Sequence, residues 1–325
     1  MKVFITRQIP DIAMTLLKEQ GYEVTMGPAT SPSREELLKA VQGASAILSV
    51  LTEHIDTEVM DAAGNQLKIV ANYAVGFDNV DLATAQARNV VVTNTPVPEV
   101  SEAVAEHAFT LILALAHRIC EGNAYAKAEK YGGWDPQLFV GTDVYGKTLG
   151  IVGLGRIGKA VAERSVKGFR MSMVYANPHR DEDFEKEYGA VWLPLEKLLQ
   201  QSDFVSLHVP LSPATRHMVS TEQFALMKKT AYLINTARGP VVDEKALLRA
   251  LKTKRIAGAA LDVYECEPHI DCDITDHLEL KAFPNVILTP HIASATVEAS
   301  VAMARCAAEN IIAVLSGKPP LNPAV

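Results

Sequence analysis

A short apolar run that leads directly into a glycine-rich turn is the feature that most constrains the fold of this chain. Residues 148–152 precede Gly153-Leu-Gly155-Arg-Ile-Gly158, and residues 159–167 continue as an amphipathic helical segment. In such a strand–turn–helix unit the first glycine permits the tight turn, the second lets the backbone approach a pyrophosphate, and the third lets the helix pack close to the strand. The helix N-terminus adds a partial positive charge. The segment therefore predicts a dinucleotide site rather than a glycine-rich turn without a ligand.

Length and composition are those of an ordinary globular chain. The 325 residues suffice for about two domains. Hydrophobic residues make up 48% and charged residues 21%, which excludes a disordered chain. The net charge of −7 argues against a nucleic-acid surface and against a polybasic membrane patch. No apolar run reaches the ~18 residues of a membrane span, and residues 1–7 are typical of a first strand rather than a signal peptide. We therefore expect no nucleic-acid partner and no membrane.

Cysteine usage favours a reducing compartment. Four cysteines stand at irregular positions, so we expect no disulfide framework and predict a cytoplasmic protein. Cys266-x-x-His269-x-x-Cys272, with acidic residues nearby, is the segment that most resembles a metal site. Zinc sites typically use tighter ligand pairs such as Cys-x-x-Cys. We therefore interpret this segment as a surface loop and predict no metal.

Short β-branched runs alternate with helical segments along the chain, which is typical of parallel sheets covered by helices. In the first part of the chain the predicted strands are 2–6, 22–26, 46–50, 68–72 and 90–94. The helices predicted between them are 10–19, 33–41, 56–63 and 81–87. In the second part, the strand before Gly153 is followed by predicted strands at 172–176, 204–207, 232–235, 258–261 and 286–288. The helices predicted there are 196–200, 221–227 and 244–251.

Two long helical segments join these series. Residues 101–120 are rich in alanine and apolar on most faces, so we expect a largely buried helix. Residues 296–315 are a second long helix, which would return the chain to the first domain. The predicted fold class is α/β, with two open doubly wound parallel-sheet domains. A Rossmann dinucleotide-binding domain at 100–291, with its linking helices, is expected to be inserted into a flavodoxin-like substrate domain at 1–99 and 292–325.

Ionisable residues follow strands of the second series, at the edge where open α/β sheets bind ligands. Arg238 comes just after strand 232–235 and can hold a carboxylate with two hydrogen bonds. A surface arginine in a salt bridge is the alternative. His291 comes just after strand 286–288, and histidine suits proton transfer because its charge changes near neutral pH.

Acidic residues follow a third strand of the same series. Asp262, Glu265 and Glu267 come after strand 258–261, and a carboxylate near His291 would fix the tautomer of its ring. Three other histidines are given structural or lining roles: His107 and His117 in the alanine-rich helix, and His208 at the end of strand 204–207.

Further motifs accompany the glycine-rich turn. They are Asn235-Thr-Ala-Arg-Gly-Pro-Val-Val-Asp243, Ala260-Leu-Asp-Val-Tyr-Glu-Cys-Glu-Pro268, Leu288-Thr-Pro-His-Ile-Ala-Ser294 and, in the first domain, Val75-Gly-Phe-Asp-Asn-Val-Asp81. Together they span the whole chain and resemble the D-isomer-specific 2-hydroxyacid dehydrogenase family. Within this family, Gly133-Trp-Asp-Pro136 and residues 141–150 are most similar to glyoxylate and hydroxypyruvate reductases. The resemblance implies NAD(P)H-dependent reduction of a small 2-oxo acid to the D-2-hydroxy acid.

The resemblance also implies a role for each site residue. Arg238 would bind the substrate carboxylate and polarise the keto oxygen, and His291 would exchange a proton with that oxygen. Glu267, which directly precedes Pro268, would pair with His291, whereas Glu265 would not. The remaining expected substrate contacts are Leu51, the backbone of Val75 and Gly76, and Trp134 from the neighbouring subunit of a homodimer.

The residue after the second strand of the nucleotide domain bears on the choice of cofactor. NAD-specific sites normally place Asp or Glu there to bind the ribose 2′-OH. This chain has Asn177, and Arg180 could pair with a 2′-phosphate, so NADP(H) is favoured. NAD(H) stays an option because Asn177 can bind a 2′-OH, and Arg180 as an ordinary solvated residue is the alternative. The other expected cofactor contacts are Val104, Gly153, Gly155, Arg156, Ile157, Gly158, His208, Val209, Pro210, Thr215, Thr236, Ala237, Arg238, His291 and Asp262, the last of these at the nicotinamide carboxamide.

Two other functions stay open. The chain could be another D-2-hydroxyacid dehydrogenase, acting on D-lactate, 2-ketogluconate or 3-phosphoglycerate. A phosphorylated substrate would need extra cations, and the loop Leu51-Thr-Glu-His54 offers one histidine beside an acid. A cofactor-sensing scaffold without activity is the hypothesis from a different class. The joint presence of Arg238, Glu267 and His291 disfavours it.

Overall fold

Two parallel sheets organise the chain, each in a unit of its own. The computed structural model describes residues 1–267 and 279–324. Unit 1 consists of Met1–Val100 with Ala295–Val325, and unit 2 of Ser101–Ser294. Each sheet is parallel throughout and is packed with apolar side chains on both faces. The predicted fold class, α/β with two doubly wound parallel sheets, is confirmed.

Five parallel strands form the sheet of unit 1. The elements along the chain are β1 (Lys2–Ile5), α1 (Ile12–Glu19), β2 (Glu23–Met26), α2 (Arg34–Ala40), β3 (Ala46–Val50), α3 (Thr57–Ala63), β4 (Ile69–Tyr73), α4 (Leu82–Ala87) and β5 (Val91–Thr93). The strand order is β2-β1-β3-β4-β5. The predicted strands of this part are confirmed, with small differences at their ends, because their β-branched runs are interrupted by clear helix starts. Ser33, Asp56 and Asp81 each cap a following helix by accepting a hydrogen bond from a backbone N–H.

A helix from the end of the chain completes the packing of unit 1. α12 (Val297–Leu315) begins at Thr296, whose side chain accepts from the N–H of Ala299. Its alanines, among them Ala304 and Ala308, are buried with α1 against one face of the sheet. The hydroxyl of Tyr73 donates to the carbonyl of Ser300 over 3.0 Å. Small side chains let this helix lie close to the strands.

Seven parallel strands are described for the sheet of unit 2. The elements are α5 (Pro98–Ala116), α6 (Ile119–Lys127), β6 (Thr148–Val152), α7 (Arg156–Phe169), β7 (Ser172–Ala176), α8 (Glu182–Tyr188), β8 (Val191–Trp192), α9 (Leu195–Gln201), β9 (Phe204–Leu207), α10 (Thr221–Leu226), β10 (Tyr232–Asn235), a 3₁₀ turn (Gly239–Val241), α11 (Glu244–Lys252), β11 (Gly258–Leu261) and β12 (Val286–Leu288). The order is β12-β11-β10-β9-β6-β7-β8. The strand order reverses between β6 and β9, and open α/β sheets bind ligands beyond the carboxyl ends of the strands at such a point.

The helix predicted over residues 101–120 is wrong at its C-terminal end. α5 ends at Ala116, and Arg118 adopts a left-handed φ of 52° before α6 begins. The N–H of Thr142 donates to the carbonyl of Ala116 over 2.8 Å and so occupies an acceptor that a continuing helix would use. α5 itself is largely buried, as predicted. No single helix in the described ranges is long and apolar enough to cross a membrane, although α5 and α6, bent by 66°, meet the length and composition limits jointly.

Two helices and one strand of unit 2 were absent from the sequence prediction, besides the 3₁₀ turn. α6 follows the unexpected break at Arg118. α8 is short and strongly charged, so it carries little apolar periodicity. β8 has two exposed residues and lies at the edge of the sheet. Short edge elements of this kind are held by tertiary pairing and leave a weak sequence signal.

Candidate active site

The glycine-rich turn after β6 fits the phosphates of a dinucleotide. Gly153 has a left-handed φ of 95°, and a Cβ there would lie 2.7 Å from the carbonyl oxygen of His208. A Cβ at Gly158 would lie 2.3 Å from the carbonyl oxygen of Gly153. Around Gly155, the N-cap residue of α7, a Cβ would meet open space, and no side chain of the described residues caps this helix. The turn is tightly packed on its inner side and leaves the helix N-terminus open to an anion.

Asn177 connects this turn to the end of β7. Its Oδ1 accepts from the N–H of Leu154 over 3.2 Å, and its Nδ2 donates to the carbonyl of His179 over 3.0 Å. Its own carbonyl accepts from Nε1 of Trp192 over 2.9 Å. The Asn177 side chain, which is predicted to face the ribose, is therefore held beside the glycine-rich turn.

Arg180 lies nearby and is paired with an acid of α8. Its Nε and Nη2 donate to the two carboxylate oxygens of Glu185 over 3.0 and 2.5 Å. The hydroxyl of Tyr175 donates to the same carboxylate over 2.8 Å. These hydrogen bonds, that from Arg180 first, lower the pKa of Glu185. Arg180 is exposed, so an arriving anion would compete with Glu185 for the guanidinium.

Polar residues at the ends of β9 and β10 line the same edge of the sheet. Thr236 has a buried Oγ1 that finds no hydrogen-bond partner among the described residues. A buried polar atom of this kind marks a place where a ligand can supply the missing partner. Burial lowers the pKa of His208 to about 4, so its ring is neutral at pH 7, and its Nε2 lies 2.8 Å from Oγ of Ser206. Thr215 donates to the carbonyl of Pro210 over 2.7 Å and so closes the turn that follows β9.

The remaining expected cofactor contacts are spread along the same elements. Arg156 is the exposed first residue of α7, and Ile157 follows it half-buried. Val209 is half-buried beside Gly153, where its Cγ1 would be 2.9 Å from an added Cβ. Val104 is buried within α5. Their contacts with a cofactor stay predictions.

Arg238 is placed by the close approach of two segments. At the end of β10, Asn235 donates from Nδ2 to the carbonyl of Arg238 and accepts at Oδ1 from the N–H of Ala237, both over 3.0 Å. Gly239 follows, and a Cβ there would lie 1.7 Å from the carbonyl oxygen of Tyr264. Only glycine fits this contact, so Arg238 stands beside the acidic segment after β11.

Asp262 is completely buried at the end of β11 and organises the loop after β12. Its Oδ1 accepts from Oγ1 of Thr289 over 2.6 Å and from the N–H of Ile292 over 2.9 Å. Its Oδ2 accepts from the N–H of Ala293 over 2.8 Å. Burial would raise the pKa of this carboxyl, but the hydrogen bonds that it accepts outweigh burial and lower the pKa. Asp262 thus holds the loop on both sides of His291, and its contact with a nicotinamide stays a prediction.

His291 and Glu267 form a hydrogen-bonded pair. Nδ1 of His291 lies 2.7 Å from Oε2 of Glu267, and 26% and 28% of the two side chains are exposed. The backbone of His291 has a left-handed φ of 54°, and its N–H donates to the carbonyls of Asp262 and Thr289 over 2.9 and 3.0 Å. Because Nδ1 faces the carboxylate, Nε2 is the ring nitrogen that can exchange a proton with a ligand.

The neighbouring acid has a different partner. Glu265 lies 2.5 Å from Nε2 of His217 and accepts from the N–H of Glu244 over 3.3 Å. His217 also has a left-handed φ, of 53°. The segment after β11 therefore contributes to two histidine–glutamate pairs, and Glu267 is the acid that contacts His291.

Three residues that support the pair were not assigned to the site from the sequence. Thr289 bonds to Asp262, and its carbonyl accepts from the hydroxyl of Tyr264 over 2.8 Å. His107, interpreted as structural, lies 3.2 Å from Oγ1 of Thr289 and 3.5 Å from Oδ1 of Asp262. Two sequence signals could have assigned residues of this set to the site: Thr289 is a polar residue directly after a strand, and His107 is a histidine within an alanine-rich helix.

The expected substrate contacts of unit 1 lie in the loops after β3 and β4. Leu51 and Gly76 are half-buried, and Val75 is 37% exposed. In unit 2, Trp134 is 83% exposed. Their contacts with a substrate stay predictions.

The cysteine segment lies partly outside the described residues, and Cys266, within them, is disulfide-bonded, which differs from the expectation drawn from cysteine spacing. Pro268, His269 and Cys272 lie outside the described residues. Within residues 1–267 and 279–324, no group of three or more His, Cys, Asp or Glu side chains is arranged to hold a metal ion.

Comparison with known proteins gives full-length matches. The family model described as D-isomer specific 2-hydroxyacid dehydrogenase, NAD binding domain, matches residues 109–293. A glyoxylate reductase of Korarchaeum cryptofilum is 48% identical over 322 residues, which cover 99% of this chain and 95% of that protein. A glyoxylate reductase of Thermococcus kodakarensis is 48% identical over 324 residues, with coverage of 98% and 94%. The crystal structure of the TT0316 protein from Thermus thermophilus has a TM-score of 0.92 at 42% identity and covers 100% of both chains.

A dinucleotide cradle and a histidine–glutamate pair at one edge of a Rossmann sheet define an NAD(P)-dependent oxidoreductase. The chain belongs to the D-isomer-specific 2-hydroxyacid dehydrogenase family, as its motifs predicted. The prediction of an enzyme is confirmed, and it replaces the hypothesis of a scaffold without activity.

Proposed function

We propose that the protein reduces glyoxylate or hydroxypyruvate to the corresponding 2-hydroxy acid, of the D series where it is chiral, with NADPH as the favoured reductant. The observation that carries the proposal is the 2.7 Å contact between His291 and Glu267, at the sheet edge that also bears the glycine-rich cradle. A half-exposed histidine with one nitrogen held by a carboxylate is suited to proton transfer at neutral pH.

His291 acts as the proton donor in this proposal. Its Nε2 gives a proton to the carbonyl oxygen of the substrate, while Glu267 at Nδ1 fixes the ring and stabilises its cationic form. When bound, a reduced nicotinamide supplies the hydride that the carbonyl carbon accepts. In the oxidative direction His291 takes the proton back.

Arg238 provides the positive charge. Its planar guanidinium can donate two hydrogen bonds to the substrate carboxylate, and its charge stabilises the negative charge that develops on the carbonyl oxygen. We assign the other contacts of the same carboxylate to the peptide groups of Val75 and Gly76. Leu51, and Trp134 from a second subunit, complete the proposed set of substrate contacts.

The substrate class is supported by the relatives and by the motifs. Both glyoxylate reductases align with this chain almost from end to end. Gly133-Trp-Asp-Pro136 and residues 141–150 are most similar to the same subgroup. D-Lactate, 2-ketogluconate and 3-phosphoglycerate define the competing substrates.

The preference for NADP(H) rests on two residues beside the glycine-rich turn, Asn177 and Arg180. Asn177 carries no charge that would repel a 2′-phosphate. Arg180 offers a guanidinium within the same loop, although Glu185 competes for it. NAD(H) is the second cofactor that this arrangement can accept, since an amide can also hydrogen-bond a 2′-OH.

We also propose a homodimer located in the cytoplasm. Large apolar side chains between α6 and β6, among them Tyr131, Trp134 and Val140, are exposed, and a second copy would remove them from water. The cysteines are few and irregularly spaced, which favours a reducing compartment, whereas the disulfide at Cys266 is a contrary observation. Light scattering on the purified protein tests the dimer: a mass of twice one chain supports it, and the mass of one chain contradicts it.

The experiment that tests the activity is nicotinamide oxidation by the purified protein. Glyoxylate, hydroxypyruvate and pyruvate are each assayed with NADPH and with NADH. Fast turnover of the first two with NADPH supports substrate and cofactor together. Turnover confined to pyruvate, or to NADH, overturns the corresponding half of the proposal, and no turnover of any 2-oxo acid overturns it entirely.

A further inference from the structure

Two asparagines of unit 1 hold the loop that carries Val75 and Gly76. Nδ2 of Asn94, directly after β5, donates to the carbonyl of Val75 over 2.6 Å. Nδ2 of Asn72, within β4, donates to the carbonyl of Gly76 over 2.9 Å. Consecutive carbonyl groups of one exposed loop are thus held by side chains from two neighbouring strands.

These two hydrogen bonds also fix the direction of two N–H groups. In a trans peptide the N–H points opposite to the carbonyl of the same planar unit. The bond to Val75 therefore orients the N–H of Gly76, and the bond to Gly76 orients the N–H of Phe77. Within the part of the chain that the structure describes, neither of these N–H groups donates a hydrogen bond. Adjacent N–H groups that are oriented and unused are suited to bind an anion.

Asn72 is itself immobilised by a buried network. The residue is fully buried, and its Oδ1 accepts from Oγ of Ser49 over 2.9 Å. Its Nδ2 also lies 2.9 Å from Oδ1 of Asn79, whose own Nδ2 donates to the carbonyl of Glu53 over 3.0 Å. Because Oδ1 is occupied by a hydroxyl donor, the amide of Asn72 keeps its Nδ2 toward Gly76. The loop is therefore held by side chains in the interior of unit 1.

We propose that Asn94 and Asn72 are positioning residues, which turn the N–H groups of Gly76 and Phe77 toward the carboxylate of the 2-oxo acid. This inference rests on the proposed function, which assigns carboxylate binding to the same loop. The asparagines do not touch the substrate; they set the two peptide planes that do. Their loss should weaken binding of the carboxylate and leave proton transfer at His291 intact.

The test compares Asn94→Ala with a matched control in the other unit. Asn285 makes the same kind of contact, from Nδ2 to the carbonyl of Ala257 over 2.6 Å, so Asn285→Ala removes an equivalent bond. For Asn94→Ala we expect KM for glyoxylate to rise about fivefold or more, with kcat and the KM for NADPH within about twofold of wild type. Inhibition by oxamate, which carries the carboxylate without a reducible keto group, should weaken in parallel. Asn285→Ala should leave all four quantities unchanged.

An unchanged KM for glyoxylate in Asn94→Ala overturns the inference, and so does an equal rise in Asn285→Ala, which would indicate a general loss of stability. Asn72→Ala should raise KM further because it also frees Asn79; if this variant does not fold, Asn94→Ala carries the test alone. Failure of the proposed function is recognised separately, since wild type would then reduce no 2-oxo acid at all.

Discussion

The strand ends of the two sheets carry different kinds of polar groups. In unit 1, Thr6, Ser49 and Asn72 at the ends of β1, β3 and β4 are neutral and fully buried. Thr6 donates to the buried carboxylate of Glu53 over 2.7 Å, and Ser49 donates to Asn72 over 2.9 Å, so these groups find their partners within unit 1. In unit 2, three of the groups that follow β10, β11 and β12 are ionisable and half-exposed, namely Arg238, Glu267 and His291, whereas Asp262 is fully buried.

The difference indicates that the two sheet edges serve different functions. Buried neutral amides carry no charge to titrate, so they can hold a backbone loop in one geometry over a wide pH range. Charged side chains near solvent can bind a charged ligand, and an imidazole among them can also move a proton. We therefore expect substitutions at the edge of unit 1 to change substrate binding, and substitutions at the edge of unit 2 to change the rate of reaction and the response to pH.

The largest effect is expected from His291→Ala. Removal of a general acid typically costs about 10²- to 10⁴-fold, and we expect kcat to fall about 10³-fold. Cofactor binding, measured by fluorescence titration with NADPH, should change far less than kcat, since His291 is one of many expected cofactor contacts and the glycine-rich turn is untouched.

His217→Ala is the matched control for this substitution. It removes the histidine of the other histidine–glutamate pair, which also has a left-handed backbone. Its kcat should stay near that of wild type. A near-normal kcat in His291→Ala, or equal losses in both variants, would remove His291 from the role of proton donor.

Acid should destabilise unit 2 through His208. Burial lowers the pKa of this residue to about 4, whereas an unfolded histidine titrates near pH 6.5. Between these values the unfolded chain binds the proton more readily. The unfolding free energy of unit 2 should therefore be unaffected by this group above about pH 6.5 and should fall, by roughly 3 kcal/mol in total, as the pH decreases to about 4.

The two tryptophans make this effect measurable in one unit. Trp134 and Trp192 both lie in unit 2, so their fluorescence during urea unfolding reports on that unit. In His208→Gln the gap between the unfolding midpoints at about pH 7 and about pH 4.5 should shrink relative to wild type. His117→Gln, at an exposed histidine of the same unit, is the matched control and should change the gap less than His208→Gln does. A gap of wild-type size in His208→Gln would refute the assignment.

The sequence was sufficient to predict the strands and the site residues whose positions depend on a local pattern of residues. Runs of β-branched residues predicted the strands of unit 1 and nearly all of those described in unit 2, and the positions of Arg238 and His291 after buried strands predicted that they share a sheet edge. Contacts that form only in the tertiary structure could not be predicted from the sequence. The end of α5 depends on Thr142 reaching back to Ala116, and the pairing of Arg180 with Glu185 needs α8, which carries little apolar periodicity.

The two glutamates after β11 test whether contact with His291 decides function. Glu267→Gln keeps the shape of the side chain but removes the charge that stabilises the cationic imidazole, so we expect kcat to fall about 10- to 100-fold. Glu265→Gln makes the same chemical change two residues earlier, at the acid that contacts His217. It should leave kcat nearly unchanged. If the two variants lose activity equally, the acidic segment acts through its fold and not through the pair with His291.

The smallest effect is expected at Asn177. A charge added there, beside the glycine-rich turn, should change the choice of cofactor without changing the reaction at His291 and Glu267. Asn177→Asp keeps an oxygen that can accept from the N–H of Leu154, and it adds a carboxylate that would bind the ribose 2′-OH and repel a 2′-phosphate. The ratio of kcat/KM for NADPH to that for NADH should shift about tenfold toward NADH, while kcat with saturating NADH stays near that of wild type. Asn65→Asp, at an exposed position of unit 1, adds the same charge and should leave the ratio unchanged. An unchanged ratio in Asn177→Asp would mean that this side chain does not face the ribose, and the preference for NADP(H) would then rest on Arg180 alone.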